Sequence, residues 1–477
     1  MILTLVGGGA HRLLGTVRSA LQENVFAGGG EIRLYDLAKR RAQAMAAMIK
    51  KSPEYARTPV TVKWDLTLEE ALDGADLVSV TLLAGGARPL AVESSIAASH
   101  GFVGSDNISY PGAFLALRGL PIILNIARAM EKYCPNAVLL DFANPVAVLT
   151  AAVRMTTKIQ CYGICAGHTN HGWDYNRILT GRDAYDPDYD LLVAGVNHMS
   201  WVVKGTIHGT DVVEALLRRE RECPDWADRL AYTAEKTPEQ KRYMTAGLHR
   251  IMDLIHNHGA LLFSTEGDGF SHFYYEEKAA AQHACPRADW PELLPAAELA
   301  RLERSLAEQA EARRAEDAQF DAYAAMPAGD IPWNDPLNTL FYVFDGGDVT
   351  TQVLKGLAGV QDCTVAISDL NEGSVTNLDP ALVLEYSHRV DKHGAHRIGG
   401  LQVPMGVYGM TASIAAHQTL LARAGAEEDP RLLYEALRAY PIGADTKSAH
   451  EMWRKLLISS KDFIAPAFQS MPDYYEI

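Results

Sequence analysis

The sequence predicts an α/β protein in which a doubly wound parallel sheet is followed by a second, α+β lobe. Apolar strand-like runs alternate with helical periodicity through residues 2–164, which is the pattern of a parallel sheet with helices on both faces. The chain of 477 residues is longer than a single core usually supports. We therefore expect two domains, residues 1–195 and residues 196–477.

The turn after the first predicted strand has the composition of a dinucleotide site. Gly7, Gly8 and Gly9 would let the backbone approach a pyrophosphate and would aim the following helix N-terminus at it. The second predicted strand ends in Asp36, whose carboxylate would hold a ribose diol and repel a 2′-phosphate, so NAD is favoured over NADP. Arg12 occupies the place of the last glycine of the usual fingerprint. These features predict a Rossmann-like domain.

Further elements alternate along the chain. They are a helix over 38–51, a strand over 60–64, a helix over 66–72, a strand over 77–83, a helix over 113–132 and a strand over 137–140. Asn144 then opens another helix, and because Asn is a preferred N-cap residue, capping explains it as well as function does. Downstream, a strand over 202–207 precedes helices near 212–220, 238–256, 295–325 and 407–424.

Composition excludes several classes of function. The net charge of −15 argues against nucleic acid, whose phosphates require a basic face, and favours a small-molecule substrate. No uncharged apolar run reaches the about 18 residues of a membrane span, and the N-terminus lacks the basic region of a signal peptide. We expect a cytoplasmic protein whose six scattered cysteines are thiols.

Cys165 and His198 are candidate metal ligands. Cys165 closes the apolar run 161–164 and His198 follows the run 191–196, so each lies where a strand ends. Neighbouring strand ends would bring the thiolate and the imidazole together, and two such ligands with open positions are typical of a catalytic metal site. A buried cysteine and a strand-capping histidine are the structural alternative.

The segment 261–275, LLFSTEGDGFSHFYY, gathers polar groups around glycines. It carries two carboxylates, a histidine and two tyrosines. Such a loop suits the rim of an active site, and an exposed loop with an aromatic anchor explains it equally well. The helix predicted over 295–325 is amphipathic and solvated, and we assign it no chemistry.

Several motifs occur together in one order. They are Gly7-Gly8-Gly9, Ala84-Gly85-Gly86-Ala87-Arg88, Pro111-Gly112-Ala113-Phe114 leading to Arg118, Phe142-Ala143-Asn144-Pro145, Gly163-Ile164-Cys165 and Gly195-Val196-Asn197-His198-Met199. With this set the chain resembles glycoside hydrolase family four, an NAD-dependent exception to two-carboxylate glycoside hydrolysis. The resemblance implies a fold like that of lactate and malate dehydrogenases. It also implies NAD and a divalent cation, Mn2+ in the family, and a homodimer or homotetramer acting on a small glycoside.

The resemblance further implies roles for single residues. Cys165 and His198 would bind the metal, and the catalytic base, often a tyrosine in this family, would be Tyr274 first and Asp268 second. Asp106 would assist proton transfer. The cofactor would lie on Gly7, Gly8, Gly9, Arg12 and Asp36, and the substrate would contact Asn144, Arg118, Arg88 and Asn197.

The implied reaction is an elimination assisted by temporary oxidation. NAD+ would take hydride from C3 of the sugar, a base would remove the acidified C2 proton, and the metal would stabilise the enediolate. Water addition and return of the hydride would complete a net hydrolysis.

One position departs from the family pattern. Family members place Asp, Asn or His after the metal-binding cysteine, whereas this chain has Ala166, so His168 or His171 would have to supply the acid. The Asp associated with 6-phospho-α-glucosides is absent, which favours a non-phosphorylated hexoside, neutral or acidic. Two alternatives stay open: an NAD-dependent 2-hydroxy-acid dehydrogenase of the lactate or malate type, and a catalytically silent NAD-sensing or sugar-binding protein.

Overall fold

The strands form one mixed sheet. The computed structural model describes residues 1–232, 237–264, 266–273, 292–335, 341, 343, 348–444 and 446–471. The strands within these residues are β1 (Ile2–Val6), β2 (Gly30–Tyr35), β3 (Val60–Lys63), β4 (Leu77–Val80), β5 (Val138–Asp141), β6 (Gln160–Gly163), β7 (Tyr189–Val196), β8 (Met199–Ile207), β9 (Thr210–Asp211), β10 (Leu261–Leu262), β11 (Cys363–Leu370), β12 (Val383–Asp391) and β13 (Gly394–Arg397).

Helices cover both faces of this sheet. In the same residues they are α1 (Leu13–Gln22), α2 (Lys39–Lys51), α3 (Leu68–Leu72), α4 (Ala87–Ser99), α5 (Tyr110–Tyr133), α6 (Val146–Thr156), α7 (Gly167–Thr180), α8 (Val212–Glu222), α9 (Pro238–His258), α10 (Gly267–Ser271), α11 (Ala296–Ala325), α12 (Val349–Leu357), α13 (Tyr408–Glu427), α14 (Pro430–Ala439) and α15 (Lys447–Ser460).

The amino-terminal half of the sheet is doubly wound. Strands β3, β2, β1, β4, β5 and β6 lie side by side in that order, and every pair is parallel. The order reverses between β1 and β4, and sheets of this kind bind ligands in the crevice beyond the carboxyl ends of the strands at that point. The predicted α/β, Rossmann-like fold class is confirmed.

Carboxyl-terminal strands extend the same sheet with antiparallel pairs. After β6 the order continues β11, β12, β7, β8 and β10, with Ser368 opposite Gly163 at the junction. The expectation that Cys165 and His198 follow neighbouring strands is therefore wrong, because β11 and β12 lie between β6 and β7. The predicted domain boundary at residue 195 falls inside β7, which pairs with β8 in a hairpin. The two predicted domains therefore share one sheet.

The core is divided by the sheet. Leu5 and Val6, adjacent on β1, belong to different apolar clusters because successive strand residues face opposite sides. Helices α5, α6 and α13 contribute to one cluster, and α1, α2 and α12 to the other. Helix α5 is long and apolar enough to cross a membrane by length and composition, but 72% of its apolar window is buried inside the fold, as in the core helix of a globular protein.

Candidate active site

The turn after β1 requires glycine. Gly7 has φ +82°, and a Cβ on this residue would lie 1.9 Å from the carbonyl oxygen of Thr81, just past β4. The N–H groups of Gly7 and Gly8 both donate to the carbonyl of Tyr35 at the end of β2. The turn thus lies against both neighbouring strands at the crevice, directly before the N-terminus of α1, the end of a helix that favours an anion.

Asp36 is fixed beside this turn by the backbone. The N–H of Gly9 donates to Oδ2 at 2.9 Å, and the N–H of Ala38 donates to Oδ1 at 2.7 Å. These bonds hold the carboxylate at the carboxyl end of β2, the position from which a dinucleotide fold contacts a ribose. The structure therefore brings the predicted cofactor residues Gly7, Gly8, Gly9 and Asp36 together.

Arg12 connects the turn with the cysteine. Its guanidinium donates to the hydroxyl of Thr81 and lies 3.9 Å from the ring centre of Phe142. Burial lowers the pKa of Arg12, and its interactions with Asp348 and Cys165 oppose that shift. The turn after β1 and Cys165 after β6 lie at the same carboxyl edge of the sheet, because β1, β4, β5 and β6 are adjacent and parallel.

The two predicted metal ligands meet. The Sγ atom of Cys165 lies 3.7 Å from Nε2 of His198. His198 is in the two-residue turn between β7 and β8 and has φ +68°, the left-handed region that few residues other than glycine adopt. Such conformations cluster at functional sites.

Asp268 orients the ring of His198. Its Oδ1 lies 3.0 Å from Nδ1 of His198, and its Oδ2 accepts from the hydroxyl of Ser105 at 2.6 Å and from the N–H of Ile108 at 3.1 Å. Because the carboxylate bonds to Nδ1 of the imidazole, Nε2 is available to bind a cation, as in carboxylate–histidine–metal sites. Burial lowers the pKa of His198, but Asp268 and Cys165 outweigh burial and raise that pKa well above its usual value.

Glu266 completes a group of three side chains. Ligand atoms of Cys165, His198 and Glu266 all lie within 4.8 Å of one another, and we call these residues the Cys–His–Glu cluster. Burial raises the pKa of Glu266, whose Oε1 accepts from Nδ2 of Asn170 at 3.1 Å. Sequence reasoning missed Glu266, although it lies two residues before Asp268 on a segment already noted for its polar groups.

A chain of amides runs beside the cluster. Nδ2 of Asn144 donates to Asp106 at 2.9 Å, and Nδ2 of Asn107 donates to Asn144 at 3.2 Å and to Asn197 at 2.6 Å. Asn197 in turn donates to Glu385 at 2.8 Å.

Helix α6 begins without a side-chain cap, so the capping explanation of Asn144 is wrong. Asn197 is 1% exposed and holds this network together, which corrects its predicted contact with substrate.

His168 and His171 do not face the cluster. Nε2 of His168 lies 3.2 Å from Gln352, and its Nδ1 accepts from the N–H of Ala366. Burial lowers the pKa of His168 to about 4 and that of His171 to about 3. Both rings line a cavity of about 410 Å³ whose described lining does not include Cys165. The prediction that one of them donates the proton is corrected, because burial keeps both rings in the neutral form at neutral pH.

Two predicted substrate-binding arginines are engaged elsewhere. Arg118 pairs with Glu93 and donates to Ser460 at 3.3 Å, and its side chain is 1% exposed. Arg88 is exposed and pairs with Glu303 of α11. Ion pairing thus engages both guanidinium groups, and their contact with substrate stays a prediction.

The two candidate bases have different outcomes. The carboxylate of Asp268 accepts hydrogen bonds from His198, Ser105 and Ile108. Asp268 therefore positions the histidine, which corrects the prediction that it is the base. Tyr274 lies outside the described residues. Asp106 remains beside Asn144, at the start of the amide chain.

A dinucleotide-type turn and a Cys–His–Glu cluster in one crevice are the features of a cofactor-dependent enzyme. The model of the family 4 glycosyl hydrolases matches residues 2–179, and the model of the C-terminal domain of that family matches residues 193–442. The chain belongs to glycoside hydrolase family 4.

Individual relatives carry different names. The chain is similar to an alpha-galacturonidase of Bacillus subtilis (strain 168), 22% identical over 477 residues, with 95% of this chain and 96% of that protein covered. An alpha-galactosidase of the same strain is 28% identical over 223 residues, covering 46% of this chain and 51% of the relative, so this alignment spans about half the length of that protein. A crystal structure of a 6-phospho-alpha-glucosidase from gut microorganisms, in complex with NAD and Mn2+, has a TM-score of 0.74 at 17% identity, with 97% of this chain and 98% of that chain covered. At this identity the structural likeness establishes the fold.

Proposed function

We propose that this chain is an NAD- and divalent-cation-dependent glycosidase that hydrolyses a non-phosphorylated hexoside. The observation that carries the proposal is the meeting of Cys165, His198 and Glu266 within 4.8 Å, at the same crevice as the glycine turn. A plain 2-hydroxy-acid dehydrogenase needs the turn and can use an imidazole as its general base, but it has no use for a cysteine and a further carboxylate beside that imidazole.

The residues present fit both groups. Gly7 and Asp36 are placed for a dinucleotide, and a carboxylate-oriented imidazole beside a cysteine is a donor set for a cation. When bound, NAD+ supplies a hydride acceptor and the cation supplies a Lewis acid for sugar oxygens. Of the chain's own residues, Asp268 holds the imidazole in place, and Asp106 with Asn144 offers hydrogen-bonding groups to sugar hydroxyls.

The charges around the cluster disfavour a phosphorylated substrate. Four carboxylates lie in or beside it, those of Asp106, Glu266, Asp268 and Glu385. A sugar phosphate carries about −1.5 to −2 charge at neutral pH and would be repelled by them. Ala166 supports the same choice, because the Asp that accompanies 6-phospho-α-glucosides is missing.

A panel of nitrophenyl glycosides tests the function. The panel covers galactosides, glucosides, glucuronides, galacturonides and 6-phosphoglucosides of both anomers, each with NAD+, Mn2+ and a thiol reductant. We expect release of nitrophenol from a non-phosphorylated hexoside without net NADH, and deuterium at C2 of the product in D2O. Steady NADH without nitrophenol would favour the dehydrogenase, and binding without turnover would favour the silent sensor.

A matched pair of cysteine variants links turnover to the site. Cys165→Ser should lose turnover while keeping NAD binding, because the turn after β1 is untouched. Cys223→Ser is the control, since a hydroxyl can keep the hydrogen bond from this position to Asp225. Full turnover by Cys165→Ser would contradict the proposal.

We further propose that the enzyme is a cytoplasmic homodimer or homotetramer. Support for a reducing compartment comes from the described cysteines, which are free: 134, 161, 165, 223 and 363. Cell fractionation tests the location, and light scattering during size-exclusion chromatography tests the assembly.

A further inference from the structure

The Cys–His–Glu cluster draws its members from three separate parts of the fold. Cys165 follows β6, His198 lies in the β7–β8 turn, and Glu266 immediately precedes α10. Their ligand atoms nevertheless lie within 4.8 Å of one another. Convergence of a thiol, an imidazole and a carboxylate from distant segments is the arrangement of a metal site, and the family resemblance of the sequence had assigned only the first two.

The carboxylate of Glu266 is held in place. Nδ2 of Asn170, in the first turn of α7, donates to Oε1 at 3.1 Å. A carboxylate has two oxygens, so one can accept this bond while the other binds a cation. The hydrogen bond thus restricts the group before any cation arrives, which lowers the entropy lost on binding.

The residues after Cys165 leave space for this carboxylate. A Cβ on Gly167 would lie 3.2 Å from Oε1 of Glu266 and 3.8 Å from Sγ of Cys165. Ala166 has no polar side chain to contribute. Ala166 and Gly167 therefore contribute no polar side chain to the cluster. Glu266 supplies a carboxylate from a different segment of the chain.

The local charge also favours a cation at this point. Glu266 is largely buried, and Asp268 and Glu385 act on it with like charge. A buried carboxylate beside other carboxylates is costly unless a positive charge compensates it. Protonated His198 offers one unit of charge, and a divalent cation offers two.

We propose that Glu266 is the third protein ligand of the divalent cation, alongside Cys165 and His198. This inference rests on the proposed function. A carboxylate oxygen gives the site a hard ligand, which explains how a cysteine-containing site holds a hard ion such as Mn2+. With three protein ligands the cation stays bound in the absence of sugar, and the remaining positions are open to substrate oxygens.

Cation affinity of the full-length protein tests this role without any turnover. Co2+ is titrated into the wild-type protein, Glu266→Gln and the control Glu435→Gln, and the cysteine-to-cobalt charge-transfer band reports binding at Cys165. Competition with Mn2+ gives the Mn2+ affinity. We expect Glu266→Gln to weaken both affinities at least about tenfold, since loss of even an outer-sphere partner costs about 10- to 100-fold. Glu435, exposed on α14, should leave both affinities unchanged.

One outcome would overturn the inference. It is wild-type cation affinity in Glu266→Gln, which overturns the inference even if turnover is lost, because Glu266 would then act on the sugar alone. NAD binding and circular dichroism check the fold of each variant. If the glutamine variant does not fold, Glu266→Ala, which buries no amide, takes its place with the same expectation. Failure of the proposed function differs, because it appears as absence of glycoside turnover in the wild-type protein.

Discussion

At the scale of single residues, Asp268 determines how His198 presents its ring. Its carboxylate accepts from Nδ1 of the imidazole and from Ser105 and Ile108. We expect Asp268→Asn to weaken Mn2+ affinity about 10- to 100-fold, because an amide holds the ring less firmly and lowers its basicity. Isothermal titration with Mn2+ measures this. Ser105→Ala is the control and should change affinity far less; equal effects of the two variants would contradict the assignment.

Arg118 is expected to act on stability instead of on substrate. Arg118→Ala leaves Glu93 buried without its ion-pair partner, in a place where burial already raises the pKa of Glu93. The free energy of unfolding should fall by about 3–5 kcal/mol, measured by urea denaturation. Arg88→Ala, which breaks the exposed pair with Glu303, should cost at most about 1 kcal/mol. A raised KM for glycosides at unchanged stability of Arg118→Ala would instead restore its predicted substrate contact.

Residue types were easier to predict than the directions of their side chains. Cys165 and His198 could be selected because each follows an apolar strand and carries a ligand atom. His168 has the right chemistry for an acid, but α7 turns it toward Gln352, and no sequence pattern states that direction. Glu266 was missed because a single carboxylate on a loop gives no periodic signal.

At the scale of elements, helix α11 is more than a solvated surface helix. The ring of Phe320 stacks on that of His11 at 4.3 Å, and His11 lies 3.0 Å from Glu316 and 3.2 Å from Asp317. His11 directly follows the glycine turn and Ala10. Helix α11 therefore docks onto the segment between β1 and α1.

Removal of the Phe320 ring should loosen this docking. Phe320 is 1% exposed, so Phe320→Ala is expected to lower the free energy of unfolding by about 3–5 kcal/mol. NAD affinity should fall as well, because the segment after the glycine turn loses its support. Leu299→Ala, at a position 37% exposed on the same helix, is the control and should change neither by much. Chemical denaturation and NAD titration measure both effects, and equal stability of the two variants would argue against docking.

Strands β11 and β12 show why some elements could not be predicted. Strand β12 reads VLEYSHRVD and is buried along most of its length, although it contains Glu385, Ser387 and His388. Two of these polar residues are satisfied inside the protein, Glu385 by Asn197 and Ser200, and Ser387 by the N–H of Val193. Alternation of apolar and polar residues therefore does not mark its solvent face, because it has almost none.

At the scale of the whole molecule, acid stability depends on buried neutral histidines. Burial lowers the pKa of His417 to about 4, and Nδ1 of this residue bonds to the carbonyl of Ala436 at 2.7 Å. In the unfolded chain a histidine has a pKa of about 6.5, so below that pH the unfolded state binds the extra proton. The stability that His417 contributes is complete above about pH 6.5 and is lost as the pH falls toward 4.

Comparison with His417→Gln isolates this contribution. Between about pH 6.5 and pH 4 the free energy of unfolding of the wild-type protein should fall faster than that of the variant, by up to about 1.4 kcal/mol per pH unit. Above pH 7 the two curves should run parallel, which serves as the internal control. Urea denaturation at pH 8, 7.5, 7, 6 and 5 measures the difference. Parallel curves throughout would show that His417 is not buried in its neutral form.

The fold as a whole was predictable to different degrees along the chain. From β1 to β6, the alternation of strands and helices predicted a parallel sheet correctly, because each element is local and its apolar pattern is periodic. The insertion of β11 and β12 beside β6 joins residues about 200 positions apart in sequence, and local patterns contain no information about such pairings.

The position of β11 and β12 between β6 and β7 also bears on synthesis by the ribosome. The thiol and the imidazole are made early, but the strands that fill the gap between their own strands are translated much later. A nascent or prematurely terminated chain that ends before Cys363 lacks both strands between β6 and β7, and it leaves one edge of each of these two strands unpaired. We expect such a chain to lack turnover and to be degraded readily, because unpaired strand edges expose backbone groups that the complete sheet covers.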